Sequence, residues 1–199
     1  MIKLIVGLGN PGIKYKYTRH NIGTWYIISL LKELKIKLKI DRNFCSYISK
    51  FKSKNENIIY FVIPNIFINL CGKIIKKISL LYKILPNEIL IVHDDMDLYP
   101  GNIKLKFGSK HHGHNGVKNI IHSFENKTNF YQLKIGIGRP KKKEEIINFV
   151  LNRPPIQEKK LIDFSIKTAV KYTKTLIIKN NIEIIMNKLN KKNKKFNLS

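Results

Sequence analysis

"LIVGLGNPGIKYKYTRHN", Leu4 to Asn21, decides the fold, because it opens either a nucleotide cradle or a different kind of turn. Gly7, Gly9 and Gly12 satisfy G-x-G-x-x-G directly after a short apolar run. In a dinucleotide site the third glycine opens a helix facing a pyrophosphate, and an acid about 20 positions on binds the ribose. Here Pro11 interrupts the motif, and residues 13–21 carry no helical apolar period. The acid at roughly that spacing, Glu33, falls inside the helix predicted from Ile22 rather than at the end of a second strand. The cofactor interpretation fails on context. What remains is a tight glycine turn at a strand end, presenting Asn10 with His20 and Asn21 close behind.

Outward from this turn, Leu4–Leu8 reads as a buried strand, and Ile22–Leu34 sets Trp25, Tyr26, Leu30, Leu31 and Leu34 on one helical face with Asn21 as N-cap. "SYISKF" and "IIYFVIP" are predicted strands joined by the polar turn "KSKNEN". Asn69 and Gly72 precede a helix carrying Ile74, Ile75, Ile78, Leu81 and Tyr82, closed by Pro86. "EILIVHDD" is another buried strand with its acids at the carboxyl end, "IKLKF" alternates with period two, and "FYQLKIGIG" ends in glycines. After "RPP", Leu161–Ile178 is a long amphipathic helix. Strands alternating with helices predict one α/β domain around a largely parallel or mixed sheet, over residues 1–187. The end, "KLNKKNKKFNLS", offers no usable apolar face, so residues 188–199 are expected to form a basic, flexible tail.

Composition bounds the partners. The 199 residues, 43% hydrophobic, suffice for one sizeable domain. A formal net charge of +25, from 38 Lys+Arg against 13 Asp+Glu, favours a polyanionic partner, most simply nucleic acid. Nearly all the cations are lysines in a chain also rich in Ile and Asn, and compositional bias gives the same balance. Charge therefore supports an RNA partner without establishing one. Cys45 and Cys71 have no metal or redox spacing, which fits a reducing cytosol. The apolar run Leu4–Leu8 is too short for a signal-peptide core, and no stretch approaches a membrane span. A cytoplasmic protein without membrane contact is expected.

Four predicted turns carry polar side chains of one restricted kind: Asn10 with His20 and Asn21; "FINLCG" with Asn69; "HDDMDLYPG" with Asp94, Asp95 and Asp97; and "GSKHHGHNG" with His111, His112, His114 and Asn115. Each alone has a structural explanation as a turn or cap residue. Together they narrow the chemistry. Neither a G-x-S-x-G elbow nor a P-loop is present, and neither cysteine has a neighbouring base. Histidines and acids suit zinc or manganese in kind, but their spacing matches no standard metal motif. The economical scheme is a His–Asp pair activating water, with amide side chains positioning a neutral polar substrate and no cofactor.

In this order, "VGLGNPGIKYKYTRHNIG", "FINLCGK", "HDDMDLYPG", "GHNGVKNI", "IGIGRP" and "NFVLNRPP" resemble the bacterial peptidyl-tRNA hydrolase family. The resemblance runs from about Leu4 to the final long helix. It implies a monomer with a mixed, mostly parallel twisted sheet flanked by helices. The implied activity is cleavage of the ester joining peptide to the 3′ ribose of tRNA, recycling tRNA from abortive translation without a metal or an obligate protein partner.

Position by position, the resemblance makes His20 the general base, with Asp94 fixing its tautomer and Asn10 holding His20 and the substrate's 3′ end. It makes Asn69 and Asn115 ligands of the peptide backbone and of the water or oxyanion, with His114 lining the same groove and Tyr15 near the tRNA terminus. Lys104, Lys106 and Lys134 correspond to positions gripping tRNA phosphate. Three departures from the family pattern stand out: Ile68 where Met is usual, Lys134 where Arg is usual, and Ser109, Lys110 and His112 where glycines are usual. The first is a conservative change in a groove wall. The second loses a bidentate fork. The third implies strain wherever the loop needs φ > 0. Two rivals to hydrolysis are an RNA-binding homologue without activity and a metal-dependent phosphoesterase.

Overall fold

Four apolar residues, Leu4–Gly7, form the central strand β1 and are completely buried. The structure, a computed structural model, describes residues 1–53, 56–125, 129–179 and 181–191. Strands β2 (Lys39–Asp41), β3 (Ser46–Lys52), β4 (Ile58–Pro64), β5 (Ile89–Asp95), β6 (Ile103–Gly108) and β7 (Phe130–Gly136) join β1 in a seven-stranded sheet ordered β2-β3-β4-β1-β5-β7-β6. The inner strands β4, β1, β5 and β7 run parallel, while β2, β3 and β6 are antiparallel to their neighbours. The fold is thus α/β with a mixed sheet whose centre is parallel, as expected. Alternation assigns the two faces: Leu4 and Val6 belong to one apolar layer and Ile5 to the other.

Helices α1 (Ile22–Leu34), α5 (Ile156–Lys179) and α6 (Ile182–Lys191) cover the Ile5 face; α2 (Cys71–Leu81) and α3 (Asn115–Ser123) cover the other. The short helix α4 (Ile146–Leu151) lies beside the carboxyl edge of the sheet, where it lines the main cavity. Among the described residues no helix is long and apolar enough to cross a membrane.

The opening question is answered by packing. A Cβ on Gly7 would lie 2.2 Å from the Gly23 carbonyl oxygen, and one on Gly9 would lie 2.5 Å from Thr24 Oγ1. A Cβ on Gly23 would meet the Val92 carbonyl at 2.3 Å. Gly7 and Gly9 of the fingerprint, together with Gly23, bring α1 against β1 and β5, a contact that no side chain would permit. Gly12, at φ +92°, opens only a short 3-10 turn, Ile13–Tyr15, instead of a helix.

The first residues of the basic tail expected over 188–199 are helical. Lys188–Lys191 form the last turn of α6, with Leu189 buried beside Ile185. Asn190 receives the Leu105 N–H at 3.0 Å and donates to its carbonyl at 3.0 Å, so one carboxamide extends the ladder of edge strand β6. Residues 192–199 lie outside the described residues.

Candidate active site

The strand order reverses at β1, since β4 and β5 flank it on opposite sides. Such a switch point opens a crevice beyond the carboxyl ends of the strands. A cavity of about 300 Å³ occupies it. It is lined by Asn10 after β1, Asn69 after β4, Asp94 at the end of β5 and Asn115 at the start of α3, with Tyr15, His20 and His114 between them. All seven residues read from the sequence as catalytic or substrate-binding therefore meet in one place.

Asp94 is the hub. Its carboxylate lies 2.9 and 3.1 Å from His20 Nδ1, and its Oδ1 also lies 3.1 Å from His114 Nε2. His114 is the N-cap of α3, where its Nδ1 accepts the Val117 amide at 3.2 Å. An accepting Nδ1 is unprotonated, so Nε2 carries the proton and donates it to Asp94. His20 likewise donates from Nδ1, which leaves Nε2 as a free lone pair. Among the described residues, that nitrogen has no protein partner.

Burial disfavours the carboxylate of Asp94, but the charges and hydrogen bonds of His20 and His114 outweigh it and hold its pKa well below the usual range. Burial also disfavours a charged His20, and here the attraction and hydrogen bond of Asp94 prevail, lifting its pKa above the ordinary histidine value. A basic imidazole of fixed tautomer can take a proton from water.

Asn10 is held differently from expectation. Its backbone N–H donates to Asn21 Oδ1 at 2.8 Å, the Asn21 amide donates back to its carbonyl at 2.9 Å, and its own Oδ1 accepts the Ile68 N–H at 2.9 Å. It shares the cavity with His20 without a hydrogen bond to it, and Asn21, the positional N-cap of α1, makes no side-chain cap bond. Asn69 and Asn115 are both exposed at the cavity rim. They are brought together because the Gly72 N–H, at the start of α2, donates to Asn119 Oδ1 of α3 at 2.7 Å.

The phosphate-binding expectation needs one correction. Lys104 is partly exposed and Lys106 exposed on β6, and Lys104 depresses the pKa of Lys106, the mark of a concentrated positive patch. Lys134 is only 4% exposed, and its Nζ lies 2.9 Å from Asp95 Oδ2. It neutralises a buried acid, so its charge is not offered to a phosphate. The alternating pattern of β7 left its partner invisible, because Asp95 lies on a neighbouring strand.

Sequence reasoning also missed part of the wall. Phe67, Met96, Ile146, Ile147, Val150 and Leu151 give the cavity an apolar side, mostly from α4. His93 is buried behind Asp94, its Nδ1 2.6 Å from the Asp94 carbonyl and its Nε2 3.3 Å from Gln132 Oε1. Burial first, then the neighbouring His114, pushes its pKa down and keeps it neutral despite the pull of Asp94. Its position just before the acids in "VHDD" was the one signal for it.

Fold and site together define a class: an α/β protein whose histidine–aspartate pair sits in a cavity at the carboxyl edge of a mixed sheet. The model of the family described as peptidyl-tRNA hydrolase matches residues 4–197. The chain belongs to that family. It is 45% identical over 172 residues to the peptidyl-tRNA hydrolase of Salmonella paratyphi B, covering 86% of this chain and 88% of the relative, and equally so to that of Escherichia fergusonii. Its structure is similar to a crystal structure of peptidyl-tRNA hydrolase in complex with N-propanol (TM-score 0.90, 37% identity, 98% of this chain and 97% of the other). It is also similar to the Acinetobacter baumannii peptidyl-tRNA hydrolase (TM-score 0.89, 38% identity, 95% and 94%).

Proposed function

We propose that this protein hydrolyses the ester between a peptide and the 3′ ribose of tRNA, with His20 as the general base. The observation that carries the proposal is the His20–Asp94 contact at 2.9 Å, with the second ring nitrogen free in a cavity that Asn10, Asn69 and Asn115 also line. His20 Nε2 takes a proton from water, and the hydroxide attacks the ester carbonyl. Carboxamide N–H groups of Asn69 or Asn115 hold the developing oxyanion. Collapse of the tetrahedral intermediate breaks the bond to the ribose 3′ oxygen, which recovers the proton from the His20 imidazolium. Asp94 stabilises that cation through both steps. Asn10 and Tyr15 line the entry for the terminal nucleotide, and Lys104 and Lys106 take phosphate charge outside the cavity. Action as a monomer in the cytoplasm is part of the same proposal.

Amide side chains both donate and accept, which suits them to the first peptide unit of the substrate. A free α-ammonium at that place would lose its hydration and leave the site's own groups unpaired, and sites built for hydrogen bonding reject such substrates strongly. One observation favours a second reading: the ligand atoms of His20, Asp94 and His114 all lie within 4.8 Å of one another, close enough to hold a metal ion. One assay separates these readings. Release of tRNA is measured from free and N-acetylated aminoacyl-tRNA, each with and without a chelator. The proposal expects fast release from the acetylated ester only, insensitive to chelation. Loss of activity on chelation would favour the metal, and equal cleavage of both esters would remove the assigned role of the asparagines.

A further inference from the structure

Arg19, directly before His20, is charged yet only 5% exposed, and the mechanism does not use it. Its Nη1 donates to the carbonyls of Phe149 at 3.1 Å, Asn152 at 3.4 Å and Arg153 at 3.2 Å. Its Nη2 pairs with Glu158 Oε2 at 2.8 Å, in the first turn of α5. The guanidinium also lies 4.0 Å from the centre of the Phe149 ring, and the Arg19 backbone N–H donates to the Asn152 carbonyl at 3.1 Å.

These acceptors have a pattern. Phe149 and Asn152 belong to the end of α4, where the Asn152 N–H reaches the Phe149 carbonyl only at 3.4 Å and the negative end of the helix dipole lies. Pro154 and Pro155 follow and have no N–H to add. The helix has six residues, too few to hold itself without outside contacts. Four of them, Ile146, Ile147, Val150 and Leu151, form the apolar side of the cavity.

We infer that Arg19 is a positioning residue that fastens α4 as the apolar wall of the cavity, and that this wall seats the side chain of the esterified amino acid. The inference rests on the functional reading above, since it names the part of that substrate the wall receives. Only a planar fork serves three carbonyls and a carboxylate at once; a lysine ammonium in the same place keeps the charge and loses most of the bonds. The backbone bond from Arg19 to Asn152 survives any side-chain change, and so does the His20–Asp94 contact. Loosening the wall therefore weakens binding of a bulky apolar side chain while leaving the hydrolytic groups in place.

The test uses Arg19→Lys and Glu158→Gln against the unmodified protein, with N-acetyl-leucyl and N-acetyl-glycyl esters of one tRNA body. KM for the leucyl ester is expected to rise about tenfold in Arg19→Lys, the size of effect that loss of an aliphatic pocket produces. KM for the glycyl ester, and kcat for both, should stay within about twofold of the unmodified protein. Glu158→Gln should shift KM in the same direction by less. Amide hydrogen exchange from Val150 to Arg153, without substrate, should quicken in Arg19→Lys. An equal KM rise for both esters, or a fall in kcat shared by both, would overturn the assignment, as would unchanged exchange in α4. If the unmodified protein cleaves neither ester, the functional reading fails, and the exchange measurement alone still decides whether Arg19 fastens the helix.

Discussion

Replacing Asp94 by Asn tests the site most sharply, because the structure dictates which way the new amide must face. His114 Nδ1 accepts the Val117 N–H, and its protonated Nε2 lies 3.1 Å from Oδ1 of residue 94. An asparagine there must place its oxygen, not its NH2, against that proton. The same oxygen position lies 2.9 Å from His20 Nδ1, so His20 keeps its Nδ1 proton and its basic Nε2. The variant therefore retains the productive tautomer and loses the negative charge. A hydrogen bond to a charged group contributes about 1.5–3 kcal/mol, which converts to about one to two pKa units and to roughly 10- to 150-fold in rate. The NH2 at the Oδ2 position, 3.1 Å from the same ring nitrogen, adds a small repulsion.

The direction with pH follows from the raised pKa of His20. The base must be neutral, so kcat/KM in the unmodified protein rises with pH through an inflection above 6.5. In Asp94→Asn burial acts on His20 without the opposing carboxylate, and the inflection falls. The deficit is then larger at pH 8 than at pH 6. Adding His114→Ala removes the group that orients the amide, allows it to turn, and should cost more than the two single losses combined. The assay is kcat/KM for N-acetylated aminoacyl-tRNA across pH 5–9 in the four proteins of the cycle. An unmoved or raised inflection in Asp94→Asn, or strict additivity in the cycle, would refute this account of the hub.

Other outcomes follow from the same geometry. His20→Ala should lower turnover by roughly 10²–10⁴-fold, more than Asp94→Asn, with tRNA affinity unchanged in a filter-binding assay. Lys104→Ala with Lys106→Ala should weaken tRNA binding and reduce its salt slope by about one to two, without moving kcat at saturation; an unchanged slope would place the grip elsewhere. Lys134→Met should act on stability instead, because it strands the buried Asp95 carboxylate; a loss of about 3–5 kcal/mol in urea denaturation is expected, with the salt slope of tRNA binding retained.

Most of the parallel core and the seven polar cavity residues assigned to catalysis and substrate binding were legible, for a physical reason: β1, β4 and β5 are near-continuous apolar runs, and their ends carry the few residues that an apolar core expels. The parts that escaped depend on contacts distant in sequence. Lys134 reads as one more surface cation until β5 sets Asp95 beside it. Helix α6 has a narrow stripe, Ile185 and Leu189, amid lysines, and the Asn190 bond that docks it reaches a strand 85 positions earlier. Helix α4 is too short for periodicity to announce, and Arg19, which fastens it, looks like a basic neighbour of a histidine. The glycine fingerprint shows the opposite error in prospect, since a correct motif match carries no cofactor once Gly7 and Gly9 are spent on approaching α1.

The histidine loop shows why departures from a family pattern can leave chemistry intact. Ser109, Lys110 and His112 stand where glycines are usual, yet only His112, at φ +45°, takes a left-handed conformation; Gly108 (φ +148°) and Gly113 (φ +82°) hold the other positive angles. A single non-glycine residue there costs about 1–2 kcal/mol. The loop is supported beyond that residue by Gln132, whose amide donates to the carbonyls of Gly108 at 2.9 Å and Lys110 at 3.3 Å. His112 itself lines the cavity, but His114 is fixed by its cap on α3 and by Asp94, and neither bond involves the residues that changed. Orientation of the base thus depends on a helix start and a strand end.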